Sequence, residues 1–303
     1  MTKKRLIRFD WAMKYILRNK ANFDILECFL SNLLKETIKI ESLLESESNR
    51  GEETRKFNRV DLMCLDAQGR RIIIEIQNQR EADYLQRLLW GTSQAVAENL
   101  ELGSAYKGVV KVISISILYF TISNEQEYIY KGQMEFRGVH THNVLQIYDK
   151  KLTAVAASPI LAGSIFPEYY LIDVERFEDI INEELDEWIY FFKHGEIRSD
   201  FTSPGILLAS MRLDLLAMDP QERKNYESYL AYLASERDIL STAMEEGWVK
   251  GKAEGRAEGR AEGRAEGEAK AKRATAKRLL AIGMSIEDVA NMTELSVDDI
   301  GKL

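Results

Sequence analysis

The sequence predicts an α/β protein whose first 120 residues run helix, strand, strand, strand, helix, strand, with a helical C-terminal extension behind them. Three observations carry this order. Val60–Leu65 and Ile72–Gln77 are β-branched, apolar segments separated by Asp66-Ala67-Gln68-Gly69, the composition of a hairpin turn. Arg80–Leu102 repeats Leu85, Leu88, Leu89, Val96 and Leu100 at helical intervals and is followed by Gly103, a helix-closing residue. Val109–Phe120 is a Val/Ile-rich run that suits a strand in the middle of a sheet.

The remaining elements follow from the same periodicities. Residues 9 to 35 place Phe9, Met13, Ile16 and Leu17, then Phe23, Leu26, Phe29, Leu30 and Leu33, at spacings of three and four, with a break expected near Asn19–Asn22. Thr37–Leu44 alternates enough to form a short strand, and Glu45–Lys56 is polar enough to be a loop. Further strands are expected at Val144–Tyr148 and Glu168–Val174, and helices at Glu184–His194, Gly205–Met218 and Glu222–Met244. The chain is thereby divided into a core over residues 1–180, a helical cap over 181–246, a repeat over 247–272 and a small helical tail over 273–303.

The repeat is built of Ala-Glu-Gly-Arg units, with glycine at every fourth position from Gly247 to Gly267. As a helix it would stack Glu254, Glu258 and Glu262, and likewise Arg256, Arg260 and Arg264, as like charges at i,i+4. Each glycine also costs about 1 kcal/mol relative to alanine. Such a segment is either a flexible tether or a helix completed by another chain, so a homo-oligomer formed through the repeat stays open. In the tail, Ser285 and Asp288 set a capping pattern at the second of two short helices around Gly283-Met284. The outline is that of a helix-turn-helix or of any small helical hairpin, and Glu287, Asp288, Glu294 and Asp298 would repel phosphate there.

Bulk composition narrows the function classes. The chain has 303 residues, 45% of them hydrophobic and 30% charged, with a formal net charge of −8. That balance suits a globular protein, and it argues against one that coats nucleic acid through general basicity. It leaves room for a DNA enzyme whose site collects carboxylates. No apolar run approaches the roughly 20 residues of a membrane span, and the basic start leads into Arg8 and Asp10 rather than an apolar signal core, so a cytoplasmic protein without membrane partners is expected. The two cysteines, Cys28 and Cys64, both lie in apolar runs and are expected as buried thiols. His140, His142 and His194 do not form a zinc motif.

The chemistry is concentrated in the hairpin. Side chains two apart on a strand share a face, so Glu75 and Gln77 point one way and Ile74 and Ile76 the other. A turn at Asp66–Gly69 sets Asp61 opposite residue 75 or 74, bringing its carboxylate to Glu75. Two converging carboxylates repel unless protonated or bridged by a cation, and hard oxygen ligands suit magnesium or manganese. The Ile76 carbonyl offers a further oxygen, and Gln77 is placed to orient water or meet a phosphate without adding charge. The plain alternative is an amphipathic hairpin with Asp61 capping a strand and Glu75 facing solvent.

Arg59-Val60-Asp61-Leu62, a turn, then Ile74-Glu75-Ile76-Gln77 resembles the motif of the Rpn family, recombination-promoting nucleases also described as PD-(D/E)XK transposases. Asp10-Trp11-Ala12-Met13-Lys14-Tyr15-Ile16 is similar to that family's first helix, and Arg87 with Trp90 to its Arg-x-x-Tyr helix, with tryptophan in place of tyrosine. Gly103 with Tyr106, Glu222-Arg223 with Tyr226-Glu227, and the glycine-glutamate repeat extend the resemblance over nearly the whole chain. It implies a restriction-endonuclease-like αβββαβ core and metal-dependent cleavage of double-stranded DNA with links to recombination. It also implies Asp61 and Glu75 as metal ligands for Mg2+ or Mn2+, Gln77 at the position usually held by lysine, and Asp10 as an accessory catalytic acid. Lys14, Arg59 and Arg87 are the candidate DNA contacts. Asp10 is equally a helix cap paired with Lys14, and Arg87 equally a structural ion-pair partner. A degenerate nuclease fold that only binds DNA or protein is the rival function.

Overall fold

A computed structural model describes residues 3–44, 61–98, 106, 109–147, 161–214 and 218–303. The chain divides into two compact units, Met1–Arg223 and Lys224–Leu303. The first is organised around a six-stranded mixed sheet ordered β2-β3-β4-β5-β7-β6. Its strands are β2 (Ile40–Leu43), β3 (Leu62–Asp66), β4 (Arg71–Gln77), β5 (Val112–Leu118), β6 (Ile129–Gln133) and β7 (Glu168–Asp173). A separate two-stranded sheet joins β1 (Lys3–Arg5) to β8 (Glu196–Arg198).

The hairpin follows from its turn chemistry. Asp66 Oδ1 accepts from the Gln68 and Arg70 amides at 3.0 and 2.8 Å, and Gly69 takes φ +77°, a conformation cheap only for glycine. Those bonds fix the antiparallel register Leu62↔Ile74 through Leu65↔Arg71. Strands β4, β5 and β7 then run parallel, and β5 is buried along its whole length, as expected of a central strand.

The crossover from β4 to β5 is α3 (Tyr84–Ala97), which turns Tyr84, Leu88, Thr92 and Ala95 inward. It starts four residues later than the apolar periodicity suggests, since residues 80–83 form a loop; residues 99–105 lie outside the described part. The first helical segment breaks where expected, into α1 (Phe9–Tyr15), a 3-10 turn at Lys20–Asn22 and α2 (Phe23–Leu34). The polar stretch 45–56 lies outside the described residues. The expected strand Val144–Tyr148 reduces to one bridge, Val144 to Arg137, within its described positions.

Helix α4 (Glu184–His194) has the expected bounds, set by a Glu183/Asp186 capping box and by Gly195 at φ 62°. Its Trp188, Phe191 and Phe192 meet Phe9 and Phe29 in an aromatic cluster, with Phe9 and Phe192 centroids 4.3 Å apart. This cluster ties α1, α2 and α4 into one core. Helix α5 (Pro204–Arg212) approaches so closely that a Cβ on Gly205 would stand 2.4 Å from Cys28 Cβ and 2.6 Å from Trp188. Cys64 is buried as expected, and burial pushes its thiol up to about 12, whereas Cys28 is only half-buried.

The glycine repeat, for which tether and helix were both open, is helical: α6 runs without interruption from Pro220 to Ala281. In the second unit Ala276, Val289 and Ile300 form a small core with α7 (Ile286–Thr293) and α8 (Val297–Gly301). Ser285 and Ser296 cap these two helices through the Asp288 and Asp299 amides. Among the described residues no helix is long and apolar enough to cross a membrane.

Candidate active site

The open end of the β3–β4 hairpin gathers the polar side chains that the sequence singled out. Asp61 stands one residue before β3, and extending the register Leu62↔Ile74 sets it against Glu75. Its Oδ2 accepts the Ile76 amide at 2.7 Å, so the side chain bridges to the neighbouring strand beside Glu75. From the other side Arg18 Nη2 donates to the Asp61 carbonyl at 2.7 Å, fixing the backbone as well. Arg18 has no signal in a local pattern, because it lies 43 residues away in sequence.

Glu75 is buried in the sheet, opposite Ser116 on β5. Burial pushes its carboxyl up to about 7; Arg87 pulls it back, while Asp61 and Glu81 push it further up. Arg87 Nη2 lies 3.9 Å from Glu75 Oε2, too long for a hydrogen bond. Instead Arg87 donates to Gln77 Oε1 at 2.7 Å and to Glu81 Oε1 at 2.9 Å, and Gln77 Nε2 donates to the same Glu81 oxygen at 2.8 Å. Both ends of the Gln77 amide are thus held. Glu81, which the sequence reading did not identify, is the hub of this network.

Three buried polar atoms around Glu75 lack a hydrogen-bond partner: Ser116 Oγ, the Tyr84 hydroxyl and Arg87 Nε. The Tyr84 hydroxyl adjoins Ser116, and burial drives it up to about 12. Buried donors and acceptors left open beside a carboxylate mark a place for an additional polar species.

Asp10 is buried in the first turn of α1, where it accepts from Arg8 at 2.9 Å and from the Trp11 amide at 2.7 Å. Arg8 in turn covers the Tyr119 ring at 4.9 Å, and the Tyr119 amide donates to the Gln77 carbonyl. Asp10 therefore belongs to the same end of the sheet through one intervening layer. No three acidic, histidine or cysteine side chains among the described residues gather closely enough to hold a metal ion. Lys14 lies in α1, and Arg59 falls outside the described residues.

A mixed sheet entered by a helix, with two carboxylates meeting where a hairpin adjoins a parallel strand, is the architecture of a PD-(D/E)XK-like nuclease. Residues 7–150 match the family model described as PD-(D/E)XK nuclease family transposase, the family that the hairpin motif resembled. No curated protein and no solved structure matches the chain. The family match points to a nuclease linked to mobile elements, in a class that generally uses divalent metals.

Proposed function

We propose that this chain is a divalent-metal-dependent DNA endonuclease that hydrolyses phosphodiester bonds of double-stranded DNA in recombination or element mobility. The observation that carries the reading is the meeting of Asp61 and Glu75, one tethered to the Ile76 amide and the other buried with its carboxyl raised to about 7. A buried carboxylate with so incomplete a counter-charge, beside open polar atoms, has the donor chemistry for a hard cation. Asp61, Glu75 and the Ile76 carbonyl would hold Mg2+ or Mn2+. A bound metal would supply charge neutralisation at the scissile phosphate and an acidified water.

The other residues act by position and charge. Gln77, clamped between Glu81 and Arg87, presents a fixed amide at the point where a lysine is usual. Arg87 brings to that point the positive charge that glutamine lacks. Asp10 supports the site as an accessory acid from α1, while Lys14 and Arg59, with Arg87, contact phosphate. In this reading residues 1–180 are the nuclease core, 181–246 a helical cap, 247–272 the repeat and 273–303 a helical tail.

Plasmid DNA incubated with MgCl2 tests the proposal. The wild type is expected to nick and linearise it, and Asp61→Ala and Glu75→Ala to lose this activity; equal nicking by all three proteins would sink the assignment. A second reading, a nuclease fold that binds without cutting, draws support from Gln77 and from the lack of a third acid beside Asp61 and Glu75 among the described residues. Calorimetric titration with Mg2+ separates the two readings, because the binding module need not take up metal at these carboxylates.

A further inference from the structure

The repeat of α6 carries four side-chain columns. In the order Gly, Arg, Ala, Glu they fall about 100° apart around the helix, so the glycine column has arginine on one flank and glutamate on the other. Arg256, Arg260 and Arg264 make up one flank and Glu254, Glu258 and Glu262 the other. Within the chain these columns are almost unmatched: among the described residues Glu254 meets Lys250 at 4.0 Å, and the other five form no ion pair. All six are exposed.

Two further observations concern the same helix. A Cβ added at Gly247, Gly251, Gly255, Gly259, Gly263 or Gly267 would meet nothing within 4 Å, so nothing within the chain requires glycine there. Yet each costs the helix about 1 kcal/mol relative to alanine. Leu240 and Met244, 47% and 69% exposed, lead into this stripe at the spacings 4, 3 and 4 that connect Leu240, Met244, Gly247 and Gly251. Apolar side chains exposed in line with glycines form a face that is left open.

We infer that α6 pairs with the α6 of a second copy of this chain, in parallel, with the glycine column at the contact. Charge decides both the partner and the direction. A two-fold axis along a parallel pair places the arginine flank of one helix against the glutamate flank of the other on both sides of the contact. In an antiparallel pair the two-fold axis sets arginine against arginine and glutamate against glutamate, which repels. The glycines let the backbones approach closely enough for those flanks to meet. Because a four-residue period exceeds 3.6, the contact winds with a right-handed sense.

Light scattering on the full-length protein across a concentration series reads the mass directly. A species of twice the 34.8 kDa chain mass is expected. The triple variant Arg256→Glu/Arg260→Glu/Arg264→Glu, and separately Glu254→Arg/Glu258→Arg/Glu262→Arg, should each weaken the dimer roughly tenfold or more, and mixing the two should restore it. Gly251→Ala/Gly255→Ala/Gly259→Ala should raise helicity by circular dichroism while weakening the dimer, the opposite of what a merely helical segment would do. Spin labels at Ser241→Cys in a Cys28→Ser background should lie close together in the dimer. A wild type that stays monomeric, charge variants that keep the dimer mass, or labels far apart in a dimer would each overturn the inference.

Discussion

Glu75 and Glu168 sit in the same sheet with nearly equal exposure, 6% and 7%, yet their carboxyls move in opposite directions. Glu75 is raised to about 7 and Glu168 lowered to about 2. Burial raises both; what differs is the company. Glu168, at the start of β7, contacts Lys111 and takes a 2.7 Å bond from Lys131 and another from the Tyr170 hydroxyl. Glu75, near the opposite end of the parallel strands, has one arginine at 3.9 Å and two acids as neighbours. A carboxylate with matched partners serves the fold. One left with an incomplete counter-charge is available to something that arrives later.

The sharpest way to break this comparison is to remove each charge in turn. Glu75→Gln should lower DNA cleavage by about a hundredfold or more, with a melting temperature that holds or rises, because the substitution removes a poorly compensated buried charge. A nicking assay beside a thermal melt checks both halves. Glu168→Gln should do the reverse, losing about 2 kcal/mol of stability by leaving two lysines unmatched, with cleavage retained at temperatures where the protein stays folded.

Acid sharpens the contrast. The folded pKa of Glu168, about 2, lies below its ordinary value of 4.5, so its contribution is complete above about pH 4.5 and is lost as pH falls toward 2. Denaturant melts at pH 5 and pH 3 should show the wild type losing this part of its stability and Glu168→Gln lacking it. The smallest expected effect is at Arg87. Its two terminal nitrogens hold Gln77 and Glu81 at once, which a lysine cannot do, so Arg87→Lys should slow cleavage by about tenfold with little change in stability.

What could be read from sequence was what depends on neighbours along the chain. The β3–β4 hairpin, the central strand β5 and both ends of α4 were visible because turn residues, β-branching and capping act locally. Strand β6 was not, since Ile-Tyr-Lys-Gly-Gln at a sheet edge has neither a clean alternation nor an apolar run. The three-residue strands β1 and β8 are too short to carry a period. At the site, Asp61 and Glu75 could be paired from hairpin register alone. Arg18 and Glu81 could not, because one reaches Asp61 across the fold and the other stands in a loop that the apolar pattern had assigned to helix. The repeat was ambiguous for another reason: its glycines lower helix propensity, and the columns that would compensate lie outside the chain's own contacts.

The closeness of Asp61 and Glu75 along the chain also orders events during folding. They belong to one hairpin, a structure that closes in roughly 1–10 µs, whereas Arg87 arrives only once α3 has crossed over to let β5 dock in parallel. For that interval the acids meet without their arginine, and the last turn of the hairpin is held open by their repulsion. Conditions that quench the repulsion early, such as mild acid or a divalent ion in the refolding buffer, should therefore speed the first step of assembly at the very residues chosen for cleavage.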